Sequence, residues 1–120
     1  MKEVNTEELE ATIRESKYVF VAIGNKKYGP GWAYLKSLVG SLEENMDNRI
    51  TFILVDMSSV ADLDDYSKRR ASKSGVIRFY IDSKCVFEQI GLFGLLETDK
   101  TVIRRGLRET LKKMAVNLKV

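Results

Sequence analysis

The sequence predicts an α/β fold, a mixed central sheet of about four strands with helices on both faces. Three observations carry this. Two β-branched apolar runs, YVFVAI at 18–23 and ITFILV at 50–55, flank a segment of helical period, so they pair in parallel through a right-handed crossover. Two later apolar runs are separated only by Asp82, Ser83 and Lys84, which reads as a hairpin and adds antiparallel pairing. An amphipathic helical segment then closes the chain, giving the order α-β-α-β-α-β-β-α.

Each element follows from local chemistry. Asn5 with Glu8 three positions on forms a capping-box pattern, and Thr6 is a competing cap; Leu9 and Ile13 share one face of a helix over about 6–15. The strand 18–23 runs into a glycine-rich turn, GNKKYGPG. Pro30 suits the first turn of a helix, where its missing N–H costs nothing. That helix, about 30–46, carries an inward stripe of Tyr34, Leu35, Leu38, Leu42 and Met46. The strand 50–55 ends at Asp56, and residues 58–62 connect to a charged helix over about 62–72 with Leu63 and Tyr66 turned to the core. Strands at 76–81 and 85–90 form the hairpin, closed by Gly91; 92–98 reads as a loop. The last helix, about 99–115, has Asp99 as its cap and Val102, Ile103, Leu107, Leu111 and Met114 inward.

With 120 residues, the chain suits a single domain, 1–120 with its core at about 6–115, able to bury roughly two-thirds of its unfolded surface. An apolar fraction of 44% argues against disorder. No apolar run is long enough for a transmembrane helix, and Met1 to Glu15 is too acidic and polar for a signal peptide, so a cytoplasmic location is expected. A single cysteine, Cys85, precludes an intramolecular disulfide or a CxxC pair. With no histidine, the common zinc sites and every histidine-based acyl-transfer triad are excluded. No cofactor or metal is expected: Asp62, Asp64 and Asp65 lack calcium-loop spacing and suit a helix start.

Charge is unevenly spread. Residues 100–120 carry seven basic side chains and one acidic, net +6, against net −3 for residues 1–99. A second basic group comprises Lys68, Arg69, Arg70, Lys73 and Arg78. The tail reads as a solvated helix face, with contact to an acidic partner as the alternative, and the second group, with Arg104, Arg105, Arg108, Lys112 and Lys113, could attract phosphates. No nucleic-acid motif or aromatic ladder accompanies them, Gly24-Asn25-Lys26-Lys27 lacks phosphate-loop spacing, and nucleic acid is not expected as a partner.

The element order resembles the thioredoxin fold over about residues 6–115. Family members carry WCGPC after the first core strand; the matching residues here are Lys27-Tyr28-Gly29-Pro30-Gly31. Gly29-Pro30 is kept, whereas Tyr28 stands at the attacking cysteine and Gly31 at the resolving one. Ala22 replaces the family's buried acid, and Val55-Asp56 keeps the "VD" that ends the next strand. Gly75, in Ser74-Gly75-Val76, replaces the cis-proline, and Gly91 keeps the glycine sixteen residues later. The resemblance implies a divergent member without the CxxC cysteines or the cis-proline. Exchange needs a low-pKa thiolate and a resolving thiol, and a phenol with a pKa near 10 is no substitute.

The resemblance therefore implies a non-catalytic domain, not an enzyme, that binds a protein or peptide through the former active-site face. The candidate contacts are Tyr28, Gly29, Pro30, Trp32 and the loop Ser74, Gly75 and Val76, where Tyr28 and Trp32 would form an aromatic platform and the strand edge at Gly75–Val76 would pair with an extended peptide. The alternatives are a divergent oxidoreductase, including one that uses Cys85, and a structural protein or homo-oligomer. A lone strand cysteine more often serves as a small hydrophobe.

Overall fold

A computed structural model describes residues 1–120. The elements are β1 (Lys2–Val4), α1 (Thr6–Glu15), β2 (Tyr18–Gly24), α2 (Gly29–Asn45), β3 (Ile50–Asp56), α3 (Asp65–Lys73), β4 (Val76–Ile81), β5 (Lys84–Ile90) and α4 (Leu96–Lys113), with one 3₁₀ turn at Met57–Ser59. The sheet order is β1-β3-β2-β4-β5. Strands β1, β3 and β2 run parallel, while β4 is antiparallel to β2 and β5. The mixed sheet is thus present, with five strands rather than about four. The extra one, β1, is a three-residue edge that buries only Val4, too short and too polar to show as an apolar run.

Strand alternation divides the core into two layers. Phe20, Phe52, Ile77 and Phe79 pack against α2 and α4 on one face. Val19, Val21, Ile53 and Val76 pack against Leu9 of α1 and Ala71 of α3 on the other. The capping box at Asn5 and Glu8 forms as the sequence indicates. In the hairpin, Asp82 and Ser83 both take positive φ, the geometry of a tight two-residue turn. No helix is long and apolar enough to cross a membrane.

Several expectations are corrected. Helix α3 starts at Asp65, not at 62, because Asp64 caps it by accepting from Ser67 N at 2.7 Å. That phase turns Ser67 and Ala71 inward and leaves Tyr66 exposed. Helix α4 starts at Leu96, so Asp99 lies inside its first turns, fully buried, and does not occupy the cap position. Ala115 (φ 56) ends this helix in the left-handed region, Val116 N bonds back to Leu111 O at 2.9 Å, and Met114 faces solvent rather than the core. The core also extends past 115: Leu118 and Val120 are buried, and Asp47 N holds the tail through Lys119 O at 2.7 Å. Arg78 does not belong to an exposed basic patch with Lys68, Arg69, Arg70 and Lys73; it is buried in β4.

Candidate functional site

The turn after β2 is fastened on both sides. Asn25 Oδ1 accepts from Lys27 N at 3.1 Å, and Asn25 Nδ2 donates to Ser72 Oγ of α3 at 3.3 Å. Lys26 N donates to Asp56 Oδ1 at 2.7 Å, so the acid that ends β3 ties the turn to the neighbouring strand. Tyr28 then stands at the N-cap of α2 without a side-chain cap bond, leaving its ring free. The ring is 48% exposed and lies across Gly31, where an added Cβ would sit 2.6 Å from it. The missing side chain at position 31 is what lets Tyr28 fold over this spot.

Trp32 does not share that surface. It is only 8% exposed and packs in the α2–α4 core layer, because its place one turn into α2 faces the sheet. The expected aromatic platform therefore loses Trp32, which supports the turn from below. The expected strand edge is also absent. Val76 pairs with Ile23 on one side and Ile90 on the other and is fully buried, so β4 is an interior strand. Gly75 is buried at φ +137, and an added Cβ there would meet Leu92 at 3.1 Å. Ser74 Oγ donates to Arg70 O at 3.2 Å and accepts from Leu92 N at 3.1 Å, while Gly91 N donates to Gly75 O at 2.8 Å. These polar groups bind the two loops to each other. The structure contains no cis peptide bond.

The loop fixed in this way contributes residues that the sequence reading passed over. Phe93 is 68% exposed and shares a cleft with Tyr28 and Pro30; Leu95, two residues on, is 64% exposed. The cleft has a volume of about 330 Å³, and its lining adds Tyr34, Lys73, Leu92 and Gly94. The available signal was the run Leu92, Phe93, Leu95 and Leu96, four apolar residues in a segment that reads as a loop. Behind it, the buried Asp99 carboxylate accepts from Tyr34 Oη at 2.5 Å, Phe93 N at 2.9 Å and Gly94 N at 3.0 Å. Burial, together with the Asp99 carboxylate, pushes the Tyr34 phenol well above its ordinary pKa, so it remains a protonated donor. One carboxylate thereby anchors α2, the loop and α4, and holds Phe93 and its neighbours out toward solvent.

Cys85 lies elsewhere. It is exposed on β5 opposite Tyr80, five residues from Ile90, the β5 residue that pairs beside the cleft. At about 3.3 Å per residue, that separation is about 17 Å. Partial burial of the thiol raises its pKa, although the Arg78 charge acts in the opposite sense. Its neighbours form a separate polar cluster, in which Arg78 donates to Glu88 Oε2 at 2.7 Å and to Asp62 Oδ1 at 2.8 Å. The cleft at Tyr28 contains no thiol, so dithiol exchange has no site there. What the cleft offers is apolar contact with a small polar margin. Of the three neighbouring aspartates, Asp62 pairs with Arg78 and Asp64 caps α3.

No protein-family model matches the chain, and no curated protein matches it in sequence. Solved structures do. A thioredoxin from Plasmodium falciparum is similar with a TM-score of 0.58 and 20% identity, over 88% of this chain and 98% of that one. The oxidised thioredoxin of the same organism, determined in solution, gives a TM-score of 0.59 at 18% identity over 97% and 99% of the two chains. Thioredoxin f2 from Chlamydomonas reinhardtii gives 0.57 at 14% identity over 88% and 94%. At such identities the likeness is one of fold.

Proposed function

We propose that this chain, a thioredoxin fold whose only cysteine lies away from the Tyr28 turn, is a non-catalytic module that binds an extended segment of another protein. Cytoplasmic action and a single domain spanning 1–120 belong to the same proposal. The observation that carries it is the pair of exposed apolar side chains, Tyr28 and Phe93, around a cleft without a thiol. Soluble domains seldom hold such side chains together on a fixed loop unless something covers them. Tyrosine and phenylalanine supply large contact area at low entropic cost. Pro30 and Ser74 line the cleft, with Gly29 between Tyr28 and Pro30 in the turn, while Trp32, Gly75 and Val76 are buried beneath that surface. A cleft of this volume is at the small end of ligand pockets, about 300–1,000 Å³, and takes one or two side chains of a segment.

The test is selection of a random peptide library on the wild-type chain, followed by amide-shift mapping of a selected peptide. Shifts concentrated at 28–34, 73–75 and 92–96 are expected. Shifts concentrated on β5 around Cys85 would reject this face. Insulin reduction by the wild-type chain that is lost in Cys85→Ser would reject the non-catalytic reading itself.

A further inference from the structure

The charges around the cleft are one-sided. No aspartate or glutamate lines it, and Lys73 does. No salt bridge or side-chain hydrogen bond engages the Lys73 ammonium, nor that of Lys27, one residue before Tyr28. The Arg70 guanidinium lies against Gly91, immediately before the loop that carries Phe93, and likewise has no carboxylate partner. Two acids lie near: Asp99 is fully buried and already accepts three hydrogen bonds, and Asp56, outside the cleft lining, accepts from Lys26 N and Ser58 N and feels the charge of Lys27.

Resting on the proposed peptide-binding role, we infer that the segment the cleft accepts is acidic: an apolar side chain enters between Tyr28 and Phe93, flanked by aspartate or glutamate that meets Lys73 and Arg70 or Lys27. Apolar contact supplies the affinity, and the unpaired cations select among apolar segments and speed encounter. A segment flanked by lysine would instead face like charges with no acid in the cleft lining to offset them.

The experiment uses three fluorescein-labelled twelve-residue peptides with the same central Phe-Leu pair, flanked on both sides by glutamate, glutamine or lysine. Fluorescence polarisation is read against the full chain at low and physiological salt. The glutamate peptide is expected to bind about threefold to tenfold more tightly than the glutamine peptide, the span of one or two exposed ion pairs, with the lysine peptide weakest. The advantage of the glutamate peptide over the glutamine peptide should shrink with added salt and be lost in Lys73→Gln combined with Arg70→Gln. Circular dichroism melting of the variant confirms that it folds. Equal binding of all three peptides would overturn acidic selection and leave peptide binding standing. Failure of every peptide to bind would overturn both. Preference for a single-stranded oligonucleotide over the glutamate peptide would assign the cations to phosphate and overturn the inference.

Discussion

Two of the molecule's clefts, similar in size, have opposite chemistry. The one at Tyr28 is about 330 Å³, and the one beside Cys85 is about 430 Å³. At the second, the charges satisfy each other: Arg78, buried in the sheet, is held by Asp62 and Glu88 and accepts no further partner readily. At the first, the polar groups are spent behind the surface, on Asp99 and Ser74, and the apolar side chains are pushed forward. Size does not mark a site; what matters is which groups are left without partners. The chain's single cysteine lies in the self-satisfied cleft, while the open apolar surface lies at a cleft with no thiol.

The largest expected effect separates supporting residues from presenting ones. Trp32→Ala should cost about 3–5 kcal/mol in denaturant unfolding, as for other large aromatic side chains removed from a core, whereas Tyr28→Ala should change stability by less than about 0.5 kcal/mol. Similar losses for both would mean that Tyr28 is packed rather than presented. Next, Asp99→Ala strands the Tyr34 hydroxyl and the amides of Phe93 and Gly94, at about 3 kcal/mol. Tyr34→Phe, which leaves Asp99 its two amide donors, should cost about half as much. Amide exchange at 92–95 should accelerate in Asp99→Ala before the rest of the sheet opens.

At the other cleft, Asp62→Ala combined with Glu88→Ala leaves the Arg78 guanidinium buried without a carboxylate and should cost about 2 kcal/mol. Arg78→Met removes the buried charge along with its partners' task and should cost less, since both carboxylates retain access to water. The smallest effect is kinetic. Because burial raises the Cys85 thiol, less of it is thiolate at neutral pH. Alkylation by iodoacetamide at pH 7.5 should be slower than for free cysteine and should climb with a midpoint above the ordinary thiol value. Reaction faster than free cysteine at pH 7.5 would reveal an activated thiol and weaken the contrast between the clefts.

The fold was legible because its signals are local and redundant. The runs at 18–23 and 50–55, the Asp82-Ser83 turn and the stripe on α2 each point to the same sheet. β1 escaped because three residues at an edge gain their stability from pairing with Ile53 to Val55 rather than from any pattern of their own. The helix starts at 65 and 96 slipped because Asp64 is the cap while Asp62 pairs with Arg78, and because Asp99 is taken up by tertiary bonds. The site was half legible. Aligning Tyr28 and Pro30 with a known motif located the turn, but which aromatic faces out depends on the phase of α2 against the sheet. Phe93 and Leu95 carry no motif; only the fold brings that loop beside Tyr28.

The most direct measurement compares the affinity of one selected peptide for the wild-type chain, for Tyr28→Ala combined with Phe93→Ala, and for Cys85→Ser. The double variant should bind at least about tenfold more weakly, as for loss of interface anchors, and Cys85→Ser should bind like the wild type. Unchanged binding by the double variant, with loss in Cys85→Ser, would contradict the account and move the working surface to the other cleft.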